Sequence, residues 1–524
     1  MPRNVIKLGC WLVALSTAGL LAGAAEPALP SFINATRSAR LKFEHHDCHP
    51  LPGMLPQEQT RFGAGAAACD YDRDGDLDLY LVDSWGHANK LYRNNGDKTF
   101  TNVTELAGVG DLGFGHMALF VDLDNDGYDD LVVFNDATGP DPSMLSKPHY
   151  SQIYRNLGNG TFQNVSADSG FEPVARIIGG ATAGDYDSDG DLDLYLVSWF
   201  DHNNYLYRNE GNFRFTDVTE EAGLRTPETF VSHWAPLFVD LNNDGTQDLF
   251  AAVDFYPDYL FFNQAGRFVL APGVYHEGND MGVAAADFDA DGDIDLYTTN
   301  ITSEWAPFPC CNWLYVNDGN GVFTNLAGDH GVRDTAWGWG TAFFDANLDG
   351  FLDLMAVNGW QQPQWETPSV FFLNDAGTFL EMTNTVGLDH VGNSRSLLPF
   401  DYDGDGDVDV LITDVYGPVT LYENITPRRD NHFLKVRLSG RQSNRNGVGA
   451  RISLESDGRT QLVEITVGGS FYAGPPLEAH FGLGSSSRVD SLHIRWPSGV
   501  EQSIIDLPSD QTLSIVEPSH WDSP

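Results

Sequence analysis

Aspartate is the residue of this chain whose type and spacing could do chemistry. Seven nine-residue segments repeat it at odd positions. They hold Asp70, Asp72, Asp74, Asp76 and Asp78; Asp122, Asp124, Asp126 and Asp130; Asp185, Asp187, Asp189, Asp191 and Asp193; and Asp240, Asn242, Asp244 and Asp248. The last three hold Asp287, Asp289, Asp291, Asp293 and Asp295; Asp345, Asn347, Asp349 and Asp353; and Asp401, Asp403, Asp405, Asp407 and Asp409. Oxygens at positions one, three, five and nine, with a backbone carbonyl at seven, can surround one hard cation, and a glycine at position six supplies the sharp turn. Carboxylates packed this closely without a cation repel one another and raise each other's pKa. An all-oxygen donor set without His or Cys selects calcium over zinc or copper, and the number of protein ligands disfavours magnesium. The spacing therefore leads us to expect up to seven Ca2+ ions. Asn242 and Asn347 stand where the other loops have aspartate at position three, so the fourth and sixth loops should bind more weakly.

The charge balance fits this reading. The 524 residues carry 74 acidic against 29 basic side chains, a net charge of −45, and the seven loops hold 31 of the acids with one base, Arg73. Such a surface repels phosphate, which excludes nucleic acid and anionic membrane surfaces as partners. An EF-hand would need glutamate at position twelve. Here that position is Leu81, Val133, Leu196, Ala251, Thr298, Ala356 and Ile412.

The elements that hold the loops follow from their flanks. Each loop is preceded by a short run of small and apolar residues, as in Gly65 to Cys69, and followed by a β-rich run such as Leu77 to Val82. A third run ending in asparagine follows (NKLYRN, SQIYRN, NYLYRN), then a fourth of the FTNVT type. Loop starts recur every 47 to 63 residues; four short strands per such period make a propeller blade. The seventh unit lacks its fourth strand, and the one remaining copy is Phe32 to Phe43 near the N-terminus. Donated to the last blade, it would close the ring and remove two open sheet edges. The expected fold is all-β, a seven-bladed propeller over residues 30–427 followed by a small antiparallel β-sandwich over 431–518.

These motifs resemble the FG-GAP or VCBS repeat proteins, which include the integrin alpha head propeller. The segments NHFLKVRLSGRQSNRNGVGARISL from Asn431, VGGSFYAGPPLEAHFGLG from Val467 and VDSLHIRWPSGVEQ from Val489 resemble the ASPIC/UnbV domain. Together they are similar to the cartilage acidic protein family. The resemblance implies fold, export and calcium, and supplies no reaction.

Residues 1–24 read as a signal peptide: Arg3 and Lys7, an apolar run from Leu8 to Leu21, then Ala22-Gly23-Ala24. A secreted or periplasmic location follows, without membrane insertion after cleavage. Cys48, Cys69, Cys310 and Cys311 leave two readings open, the disulfides Cys48–Cys69 and Cys310–Cys311 or reduced buried pairs. No nucleophile elbow, zincin helix, P-loop or dinucleotide fingerprint occurs. Arg451 and His480 read as satisfied groups on the surface of a C-terminal sheet. His45-His46-Asp47-Cys48-His49 could bind copper or zinc, against the plainer reading of a solvated stretch. On the propeller face away from the loops, Ala64, His116, Gly179, Trp234, Met281, Trp339 and Arg395 should ring the channel mouth, with Trp85, Trp199, Trp305, Trp360 and Trp365 on longer connections. Two function classes follow. One is a binding or adhesion module for an extracellular protein or glycan. The other is a carbohydrate-active or lyase-type enzyme, for which His116, His233, Asp280 and Arg395 should converge in a deep pocket.

Overall fold

The computed structural model describes residues 29–46, 62–84, 86–136, 150–172, 177–199, 204–225, 232–271, 278–301, 311–360 and 367–519. The leader, Asp47, Cys48, His49, Trp85, Trp305, Cys310 and Trp365 lie outside them. Among the described residues no helix is long and apolar enough to cross a membrane.

Seven repeat sheets carry the loops. The first runs Ala66–Cys69, Asp78–Leu81, Lys90–Asn94 and Phe100–Asn102 in antiparallel order, and the others repeat it. In each, the acidic loop joins the first two strands. First strands lie side by side: Ala66–Cys69, Gly115–Val121, Ile178–Gly184, Ser232–Val239, Val283–Ala286, Gly338–Phe344, Ser394–Phe400, and back to the first. They are buried almost throughout, and small residues such as Ala66, Ala67 and Ala68 let them crowd the axis. The last sheet takes its fourth strand from the N-terminus, with Phe32 opposite Asn424, Ile33 opposite Glu423 and Asn34 opposite Tyr422. That strand is Phe32–Asn34, shorter than the expected Phe32 to Phe43: Ala35 to Arg40 turn back, Ala39 N–H donating to Ala35 O at 2.8 Å.

Five first strands carry a β-bulge, between Gly115 and Met117, Ile178 and Gly180, His233 and Pro236, Gly338 and Thr341, and Ser394 and Leu397. A bulge re-aims the side chain it displaces. The displaced residues include His116, Gly179, Trp234, Trp339 and Arg395, five of those expected at the channel mouth.

The C-terminal domain packs a three-stranded sheet (Ala479–Gly484, His432–Ser439, Gln511–Val516) against a four-stranded one (Arg459–Glu464, Arg451–Ser456, Arg488–Arg495, Glu501–Pro508). It is not wholly antiparallel, since His432–Ser439 pairs in parallel with Gln511–Val516. Between the sheets the chain leaves the sandwich and enters the propeller axis. Ala473–Gly474 pairs in parallel with Ala66–Ala67, Ser470 bridges Val283, and the Tyr472 hydroxyl donates to Ile178 O at 2.7 Å. One apolar cluster therefore spans both parts of the chain.

Candidate metal centres on the acidic loops

Each loop is shaped by its own backbone before any ion is considered. The carboxylate at position one accepts the N–H of the position-six glycine in all seven, at 2.6 Å for Gly127 to Asp122 and 3.3 Å for Gly292 to Asp287. Those glycines have φ between +85° and +102°. Position four is also left-handed, and in six loops it is not glycine: Arg73, Asn125, Ser188, Asn243, Ala290 and Leu348. Such strain persists only where the surroundings fix it. At position five one oxygen accepts the N–H of position seven, as in Asp191 to Asp189 at 2.9 Å.

Position nine is a buried pin. Its Oδ1 accepts the N–H of the asparagine ending the third strand, at 2.8 Å in every sheet, as Asn94 to Asp78 and Asn424 to Asp409. Those asparagines were visible in the sequence, but their role was not. Their side-chain amides donate to the carbonyl just before position nine and to the position-two carbonyl of the preceding loop. Asn209 bonds Leu192 O and Leu123 O, and Asn94 bonds Leu77 O and Tyr402 O, which joins the first loop to the seventh. The loops form a hydrogen-bonded ring around the molecule.

Several carboxylate oxygens remain unused. Asp70 Oδ1, Asp72 Oδ1, Asp124 Oδ1, Asp187 Oδ1, Asp295 Oδ2 and Asp407 Oδ1 are buried without a hydrogen-bond partner. Donor oxygens of Asp70, Asp72 and Asp78 lie within 4.8 Å of one another, as do those of Asp122, Asp124 and Asp130, of Asp185, Asp187 and Asp193, and of Asp287, Asp289 and Asp291. Burial pushes Asp70 up to about 6, Asp122, Asp185 and Asp287 to about 7, and Asp78 and Asp130 to about 9. Orphaned buried carboxylates call for a countercharge, and oxygen donors in this arrangement fit a hard divalent cation.

The loops differ in how far the protein supplies that countercharge. In the fourth, Arg451 Nη1 lies 3.3 Å from Asp240, and Asn242 Oδ1 accepts the Asp244 N–H. In the sixth, Asn347 Nδ2 donates to Asp349 Oδ2 at 3.0 Å. Neither has an orphaned carboxylate oxygen among the described residues. Arg155 reaches Asp124 and Asp126 in the second loop, and Lys98 reaches Asp403 in the seventh. Two position-seven side chains face a neighbouring loop rather than their own centre. Asp191 accepts from Asn125 at 2.7 Å and Asp293 from Asn243 at 2.6 Å.

Arg451 and His480, expected as sheet-surface groups, face the acidic loops instead. His480 Nε2 donates to Gly406 O at 2.9 Å, Lys435 Nζ reaches Asp401 at 2.5 Å, and Arg459 donates to Asp349 O at 2.7 Å. Asn446 bonds both Asp122 N and Asp129. The C-terminal domain thus covers the loop face of the propeller.

The opposite channel mouth is not an open aromatic rim. Phe62 sits among Trp199, Trp234, Trp339 and Trp360, with ring centroids 5.0 to 6.1 Å away, and Phe471 of the inserted segment lies 4.8 Å from Trp339. His116, His233, Asp280 and Arg395 are each engaged by neighbouring groups. His116 bonds Asp136 at 2.9 Å, His233 stacks on Tyr259, Asp280 accepts from Asn300, and Arg395 lies over Trp339 while donating to Ser394 O and Asn393. Cys69 is a free buried thiol donating to Asp129, which corrects the Cys48–Cys69 pairing; Cys311 is disulfide-bonded, with its partner outside the described residues.

A family model for the FG-GAP-like repeat matches residues 70–133, 140–196, 185–251 and 240–298, and one for ASPIC and UnbV matches 440–520. The chain is an FG-GAP repeat protein with an ASPIC and UnbV domain. It is homologous to cartilage acidic protein 1. The mouse protein of that name is 23% identical over 485 residues, 87% of this chain, and the human one 22% over 488 residues, 88% of this chain. This FG-GAP chain spans 65% and 64% of the length of those relatives. A crystal structure of BBS1N in complex with ARL6DN overlaps 76% of this chain and 99% of that one, at 11% identity and a TM-score of 0.42.

Proposed function

We propose that this chain is an exported, calcium-stabilised binding or adhesion module whose partner is an extracellular protein or glycan. The orphaned carboxylate oxygens carry the reading. Five loops, the first, second, third, fifth and seventh, bury at least one such oxygen each, and calcium supplies the missing charge at oxygen ligands without needing His or Cys. The fourth and sixth loops bury no such oxygen among the described residues, so on this reading calcium occupies five sites rather than seven. The leader-like first 24 residues support export, and the similar mouse and human proteins are named for cartilage. A scaffold with a filled channel offers its outer faces to a partner, which suits adhesion.

The test is an array of matrix proteins and glycans probed with calcium-loaded protein and again after chelation. Binding that appears only with calcium supports the reading. Turnover of a glycan on the array, or binding indifferent to calcium, contradicts it.

A further inference from the structure

We propose that His46 and His87, backed by Asp83, form a site for a divalent zinc or copper ion, separate from the acidic loops. The two histidines lie 41 positions apart in the chain and meet at the connection between the second and third strands of the first sheet. That connection lies at the opposite end of strand Asp78–Leu81 from the acidic loop. One donor atom from each of His46, Asp83 and His87 falls within 4.8 Å of the other two.

Asp83 is the fixed point. Its side chain is 1% exposed, and its Oδ1 accepts the backbone N–H groups of His46 at 2.9 Å and Ser84 at 2.8 Å. Its Oδ2 lies 2.8 Å from His46 Nδ1. A carboxylate can only accept there, so Nδ1 carries the proton and the Nε2 lone pair is left for a ligand. A carboxylate behind a histidine is the usual support of an imidazole that binds metal, because it sets both tautomer and ring orientation. The His46 side chain is 47% exposed, so an ion can reach it from solvent. The Ser84 hydroxyl donates to His46 O at 2.5 Å, and His87 N–H donates to Ser84 O at 3.0 Å, which ties both histidine backbones to the same turn.

The rings stack with centroids 4.0 Å apart and planes 3° from parallel. Parallel rings cannot both aim a lone pair at one ion, so binding turns one of them. His46 is held by Asp83, so the His87 ring turns, bringing its nitrogen to the ~2.0–2.1 Å that zinc requires. Two imidazoles select zinc or copper over calcium and magnesium, and copper should bind the tighter. His45 takes no part: its Nδ1 accepts the Tyr416 N–H at 3.3 Å from inside the fold.

The experiment is calorimetric titration of the full chain, first saturated with calcium, using zinc chloride and then copper chloride. Wild type should take up one equivalent of either ion, and His87→Ala should lose it while melting at the wild-type temperature with calcium. Asp83→Asn should weaken binding by ~10–100-fold, as loss of a carboxylate behind a metal-bound histidine does. An equivalent that survives in the His46→Ala/His87→Ala double variant, or no uptake by wild type, overturns the proposal.

Discussion

At Asp187 one carboxylate oxygen is buried with no partner, whereas Asn242 at the same loop position uses its oxygen to accept a neighbouring N–H. Asp187→Ala should therefore abolish one calcium equivalent in titration calorimetry, and Asn242→Ala should abolish none. Equal losses would contradict the division of the loops. The sequence made the aspartates and their turn glycines plain, because ligand spacing is local. It did not show that the position-nine residue is a hydrogen-bonded pin, since that depends on an asparagine 15 to 26 residues further on, as Asn424 for Asp409 and Asn156 for Asp130. A second residue, Asp254, lies far from the loops, and burial raises its pKa from 3.8 to about 7 beside Trp199 and Trp234. A carboxyl whose folded pKa is raised gives stability that is complete below its unfolded pKa and lost as pH rises through the folded one. With calcium saturating, Asp254→Asn should flatten the fall in unfolding free energy between pH 5 and pH 8, removing ~2 kcal/mol of it. Parallel wild-type and variant profiles would contradict this.

At the scale of the strand and sheet, the repeat unit could be read from the chain because each loop is preceded by a short run of small and apolar residues and followed by a β-rich run, and the set recurs with the loop. The donated N-terminal strand was legible for the same reason, as the one copy of the fourth strand left over. Its length was not, because the turn at Ala35 to Arg40 is set by backbone bonds such as Ala39 N–H to Ala35 O, which the similarity of the whole segment to the other fourth strands does not reveal. The bulges were hidden too; they appear only when first and second strands are set in register. What couples one sheet to the next is the asparagine amide. Asn209→Ala would leave the buried carbonyls of Leu123 and Leu192 without their donor, a cost of ~2–4 kcal/mol in unfolding free energy. A loss under ~0.5 kcal/mol in denaturant titration, the size of an ordinary surface substitution, would show that the asparagine ring does not couple the sheets.

For the whole molecule, the C-terminal domain is less a second domain than the propeller's lid and axle. It sets Lys435, Arg451, Arg459 and His480 against the acidic loops and threads Ser470 to Gly474 into the channel. None of this was legible in the sequence, because Phe62 and Phe471 fill the axis from opposite parts of the chain and contacts so distant leave no local pattern. Tryptophans that could line an open mouth or fill a closed one have the same spacing in either case. The net charge of −45 makes charge compensation a property of the whole molecule: on the proposed reading, calcium at the five loops that bury an unpartnered carboxylate oxygen stabilises the folded state at neutral pH. Each site stabilises by ~2.7 kcal/mol when calcium stands at about a hundred times its dissociation constant. Scanning calorimetry at pH 7.5 in calcium, and again in excess EGTA, tests this most directly. Calcium-stabilised loops should melt lower by about 10 °C or more in EGTA, with the loss restored by added calcium; the same melting temperature in both would contradict calcium stabilisation.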